Sequence, residues 1–172
     1  MALVSADKPR KEGIRVANLP EHARNEPDKV YFGQMVFNRP SLAQANHLKP
    51  IYLTAHLEEV LFKRVLIDGG SSVNVLPIKQ MKKLCRSEED LIPTDLTVSS
   101  FSGAITKTYG ILPLEVDLGS KQIMMAFFMV DNSSTYGALL GRDWIHQSLS
   151  VPSTLHQQVV VYHESRGEEP GF

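Results

Sequence analysis

The chain has 172 residues, 42% of them hydrophobic and 22% charged, with a formal net charge of −1. That length fits one domain with a sizeable core, and the near-neutral balance argues against a uniformly basic nucleic-acid surface. No apolar run approaches the roughly 18 residues of a membrane helix, and the single cysteine, Cys85, supports neither an internal disulfide nor a cysteine-based zinc site.

The N-terminal stretch MALVSADKPRKEG lacks the long apolar core of a signal peptide. Together with the lone cysteine, this makes a reducing compartment the default. Residues 1–48 are polar and broken by proline, apart from the apolar island VYFGQMVF (30–37). The island reads as an edge strand or a sticky spot. The whole segment offers little apolar area to offset ordering entropy, so a flexible linker is expected.

From Pro50 the pattern changes. IYLTAHL alternates, with Ile51, Leu53, Ala55 and Leu57 on one face, as in a half-buried strand. Glu58-Glu59 suits a turn, and VLFKRVLI returns as a second strand ending at Asp68. SVNVLP is extended. Pro77 suits the first position of a short helix, along which Ile78, Met81 and Leu84 or Cys85 recur on one side. LTVSSF (96–101) is strand-like, Ser102-Gly103 reads as a hairpin turn, and AITKTYG returns to Gly110, which punctuates the run. ILPLEVDLG alternates again, Gly119-Ser120 turns the chain, and KQIMMAFFMV reads as a central strand whose aromatics and methionines form core. After the loop DNSSTYG come ALLG and a short helix over RDWIHQSL, expected to bury Ile145 and Leu149 and to pack Trp144. QVVVYH is a last strand, and residues 164–172 form a polar tail. Many short strands, two brief helices and no βαβ rhythm predict a mostly-β, barrel-like domain.

The chemistry centres on VLIDGGSSVNVLP, Val65 to Pro77. An unpaired buried carboxylate costs several kcal/mol or takes up a proton. A glycine turn relieves this, because small residues bring backbone N–H groups onto the carboxylate, and Ser71 or Ser72 can add a hydroxyl. Two readings stand at this point: a turn acid capping its own loop, or a reactive acid. Gly69-Gly70 is no phosphate-binding loop, since no Gly-Lys-Ser/Thr follows, and Gly-x-Ser-x-Gly and His-Glu-x-x-His are both absent. The six histidines show no ligand spacing, and KPRK is too short to argue for nucleic acid. Asp117-Leu118-Gly119 shares the D-x-G spelling but ends an alternating strand, and reads as a turn.

Roughly seventy residues after Asp68 comes ALLGRDW (138–144), an apolar run ending in Gly-Arg, followed by VPSTLHQ (151–157). With VLIDGGSSVNVLP, these three segments in order make residues 50 to about 163 resemble the retropepsin-like aspartic protease domain of plant gypsy-class LTR retrotransposon polyproteins.

The resemblance implies an all-β, small closed acid-protease barrel of the retropepsin type with one or two short helices, working as a homodimer on a polypeptide substrate. It implies domains at 1–48 (linker or polyprotein segment), 49–163 (protease) and 164–172 (tail). Each subunit contributes one catalytic acid, Asp68, which explains a single D-G-G loop per chain. Gly69, Gly70, Ser71 and Ser72 support the loop. Phe101, Ser102, Gly103 and Ala104 form a flap that is also readable as an ordinary hairpin. Leu139, Leu140, Gly141 and Arg142 form the motif before the C-terminal helix, with Arg142 equally readable as a surface partner of Asp143. Gly69 departs from the family's Thr or Ser, whose hydroxyl locks the two loops across the dimer. The resemblance calls for no cofactor, no metal, no nucleic acid and no membrane, and for synthesis in the cytoplasm. An inactive dimerisation or protein-binding module is the alternative.

Overall fold

The computed structural model describes residues 14–18, 37, 39–99, 105–119, 121–132 and 135–163. In chain order the elements are β1 (Ile14–Asn18), α1 (Leu42–Ala45), β2 (Ile51–Leu57), β3 (Val60–Ile67), β4 (Asn74–Pro77), β5 (Thr97–Ser99), β6 (Ile105–Asp117), β7 (Gln122–Val130), β8 (Ala138–Leu140), α2 (Arg142–Gln147), β9 (Ser150–Ser153) and β10 (Gln158–His163). Two 3-10 turns, Ile78–Leu84 and Glu88–Asp90, lie between β4 and β5.

Local sequence logic accounts for most of these elements. β2 buries Ile51, Leu53, Ala55 and Leu57, the face that alternation assigns to the core. The Glu58-Glu59 turn returns the chain antiparallel as β3, with Glu58 at a positive φ of 53°. β7 runs between β4 and β6 and buries Met125, Phe127, Met129 and Val130. The segment after Pro77 winds as a 3-10 turn and buries Met81 and Leu84, while Cys85 is exposed. In α2, Trp144 and Ile145 are buried; Leu149 lies past the helix end at a φ of 52°, half-buried. Gly110 does not end a strand. β6 runs through it with an irregular register between Thr108 and Gly110, and the buried Thr108 hydroxyl donates to the carbonyl of Leu96.

The main sheet has the order β2-β3-β8-β4-β7-β6-β5, and β1-β10-β9 form a second sheet. Among the described residues three of the pairings are parallel: β3 with β8, β4 with β7, and β1 with β10.

The expected all-β closed barrel is corrected here. The architecture mixes strands with helical segments, and the main sheet does not close. Among the described residues β5 ends the sheet and pairs with β6 alone, and β2 meets β6 at two positions, His56–Asp117 and Leu57–Val116. Closure needs an unbroken ladder between the first and last strands at a regular stagger. The rest of β2 runs beside β3 only.

Two elements, β1 and α1, lie in the stretch expected to be a linker. β1 adds to the edge of β10, and the chain before β2 also contacts the β9–β10 turn. Phe37 stacks on His156 with ring centroids 4.7 Å apart, and Gln157 Nε2 donates to the carbonyl of Lys49 at 2.9 Å. Apart from Phe37, the apolar island at 30–37 lies outside the described residues, as does the tail at 164–172.

The sheet carries two apolar clusters. The main core gathers the inner faces of β2, β3, β6 and β7 with Trp144. A smaller cluster of Val75, Val130 and Leu139, with Val98 and Tyr136 packed against it, is separate from that core. Among the described residues no helix is long and apolar enough to cross a membrane.

Candidate active site

Asp68 follows β3 directly. Its N–H donates to the carbonyl of Leu140 at 3.0 Å, which carries the β3–β8 pairing one residue beyond the strand. The chain then turns back, with Ser71 N–H donating to the Asp68 carbonyl at 3.2 Å. Gly70 N–H donates to Asp68 Oδ1 at 2.8 Å. A Cβ on Gly70 would stand 3.0 Å from that same oxygen, so a side chain here displaces the carboxylate. The glycine turn thus does what small residues beside an acid permit: it delivers a backbone donor. The two serines are placed differently. Ser71 Oγ donates to the carbonyl of Val73 at 2.8 Å and so closes its own loop, while Ser72 is exposed.

The loop is held from behind by the segment Gly141-Arg142-Asp143. Arg142 Nη1 donates to the carbonyls of Gly69 at 3.0 Å and Gly70 at 3.1 Å, 73 and 72 positions away in sequence. Its backbone N–H donates to the carbonyl of Ser71 at 2.8 Å. A cation on two carbonyls gives charge-assisted bonds, stronger than neutral ones. Arg142 therefore braces the loop, and Asp143 has other partners: it accepts from Asn74 Nδ2 at 3.0 Å and from Gln147 Nε2 at 2.8 Å. Gly141 lies against the loop backbone, where a Cβ would fall 2.3 Å from the carbonyl oxygen of Val73.

Asn74 joins these parts. Fully buried, it accepts from Gly141 N–H at 3.0 Å through Oδ1 and donates from Nδ2 to Asp143 and to the carbonyl of Ala126 at 3.2 Å. One side chain thus ties β4 to β7, to Gly141 just after β8 and to the start of α2. The sequence reading gave Asn74 no role and read Asp143 only as a surface partner of Arg142. The available signal was a polar residue inside the apolar run SVNVLP, since a buried amide is retained where its hydrogen bonds are met.

In front of Asp68 is an open cleft. Gly70, Ser71, Val75 and Leu139 line it beside the acid. Val98 of β5 and Thr106 of β6 line it from the hairpin, and Val130, Asn132 and Tyr136 complete it. The smaller apolar cluster is therefore the cleft wall. The hairpin arms reach the cavity of Asp68, whereas the expected flap residues Phe101, Ser102, Gly103 and Ala104 lie outside the described residues. Leu139 lines the cleft, while Leu140 faces the main core. Gly69 has no heavy atom within 4 Å of where a Cβ would stand, so this position has open space in front of it. Among the described residues, no group of three or more His, Cys, Asp or Glu side chains is placed to hold a metal.

No family model matches the sequence, and no curated protein matches it. Solved structures do. The retroviral protease-like domain of Ddi1 from Leishmania major superposes with a TM-score of 0.52 at 14% identity, covering 67% of this chain and 90% of that domain. The EIAV protease complexed with the inhibitor HBY-793 gives 0.48 at 19% identity, over 59% of this chain and 90% of that one. A retropepsin-like aspartic protease from Rickettsia conorii gives 0.46 at 22% identity, over 57% and 78%. The first of these carries the structural conclusion: the chain has a retropepsin-like fold.

Proposed function

We propose that the protein is an aspartic endopeptidase that hydrolyses peptide bonds between two Asp68 carboxylates, one from each subunit of a homodimer. The observation that carries this reading is the setting of Asp68. It stands at a strand end of a retropepsin-like fold, on a loop braced by Arg142, and lines a cleft that β5 and β6 also line.

Two carboxylates held close do not both ionise readily, so the pair shares one proton and titrates as a unit. The ionised member takes a proton from a water between them, and that water attacks the scissile carbonyl. The protonated member donates its proton to the carbonyl oxygen. The resulting diol collapses, the C–N bond breaks, and the leaving amine takes up a proton. Gly70 N–H, on Asp68 Oδ1, holds the carboxylate in orientation. The hairpin closes over the peptide and excludes water.

The substrate of this proposal is a retroelement polyprotein of the plant gypsy class, cut in the cytoplasm. Residues 49–163 are the protease unit, 1–48 the linker or upstream polyprotein segment and 164–172 the tail. A second reading, an inactive dimerisation or protein-binding module, is favoured by one observation. Gly69 leaves open space at the position where the family that the sequence resembles has a locking hydroxyl.

The test is cleavage of a mixed peptide library between about pH 4 and pH 7, comparing the protein with Asp68→Asn. Activity lost in the variant, with a rate per chain that rises with protein concentration, establishes the dimeric enzyme. A folded dimer by sedimentation that cuts nothing establishes the module instead.

A further inference from the structure

The cleft beside Asp68 has an apolar wall, and polar groups of Ser71, Thr106, Asn132 and Tyr136 line it as well. Val75, Val130 and Leu139 are buried in its wall, and the ring of Tyr136 packs on them. The tyrosine oxygen accepts a hydrogen bond from Asn132 Nδ2 at 2.9 Å. Both residues line the same cavity as Asp68. A phenol has one proton to donate as well as lone pairs to accept with. Since the oxygen of Tyr136 accepts from Asn132, its own proton is left to donate elsewhere. Asn132 and the apolar cluster hold the ring from two directions, so that donor stands at a fixed place on the cleft rim.

We infer that Tyr136, positioned by Asn132, is a specificity-determining residue of this cleft. It selects peptides bearing an aliphatic-stemmed side chain that ends in a neutral hydrogen-bond acceptor, as in glutamine. This rests on the cleft being the peptide site of the proposed protease, and it names the side-chain class that such a site takes. The stem lies on the valines and leucine, and the terminal carbonyl accepts from the tyrosine hydroxyl. A site built to hydrogen-bond a substrate group discriminates against the analogue that lacks it.

The experiment uses the full chain carrying Asp68→Asn, so that binding is read without cleavage. Fluorescence anisotropy measures its affinity for hexapeptides that differ only by glutamine or leucine at one position. Adding Tyr136→Phe keeps the ring and removes the donor. The glutamine-to-leucine affinity ratio should then fall about threefold to tenfold, the worth of one hydrogen bond, with leucine binding unchanged. Asn132→Ala, which leaves the ring held by the apolar cluster alone, should lower the same ratio by a smaller factor. An unchanged ratio in Tyr136→Phe overturns the inference, as does the absence of any peptide binding. A ratio that shifts in the binding assay, alongside a parent protein that cleaves nothing, leaves the inference standing and removes the protease reading instead.

Discussion

Asp68-Gly69-Gly70 and Asp117-Leu118-Gly119 are two turns with the same local chemistry. In each, the aspartate Oδ1 accepts from the backbone N–H of the glycine two residues on. In each, the acid directly follows or ends a strand with a buried face. Their surroundings differ. Asp117 sits where β6 turns into β7, a hairpin between neighbours in sequence. The Asp68 loop is gripped by Arg142, backed by Gly141 and Asn74, and opens onto a cleft lined from several strands. An acid in a glycine turn is thus a common local solution. What separates a candidate reactive acid from a capped turn is the bracing and the cavity supplied by distant chain.

The largest expected effect tests that contrast directly. Asp68→Asn should lower peptide-cleavage rates by about 10²-fold to 10⁴-fold, the range of general acid–base catalysis. Asp117→Asn should leave them within about twofold, as surface changes commonly do. Comparable losses in both variants would sink the distinction between the turns. Next in size is Asn74→Ala, which removes the bonds to Gly141, Ala126 and Asp143 and leaves buried groups unpaired. It should cost about 3 kcal/mol in urea unfolding, with no counterpart at the Asp117 turn. Arg142→Ala should cost about 1 kcal/mol, because the guanidinium is exposed and its bonds are partly replaced by water. Its effect on cleavage should exceed its effect on stability, which initial rates set against urea midpoints would show; equal effects would make Arg142 a general stabiliser. The smallest change is Gly69→Thr. With open space at that position, stability should move by less than about 0.5 kcal/mol. Sedimentation should show tighter self-association if a hydroxyl there locks two loops, and no change if it does not.

The sequence by itself determined the local features of this protein. Alternation placed Ile51, Leu53, Ala55 and Leu57 inward, the acidic pair at 58–59 turned the chain, and the glycines after Asp68 and Asp117 turned it again. These follow from period-two side-chain geometry and from turn chemistry, both of which act over a few residues. Tertiary structure decided the rest. The parallel pairings of β3 with β8 and β4 with β7 bring together segments more than fifty positions apart, and no hairpin turn advertises them. Their register puts Arg142 on the Asp68 loop rather than on Asp143, and gives Asn74 its three partners. The same long-range geometry leaves the sheet open, because whether first and last strands meet depends on accumulated twist and stagger rather than on any single strand. β1 has the same origin: Ile14–Asn18 is too short to stand as a strand by itself and becomes one because β10, more than a hundred and forty positions on, offers it an edge.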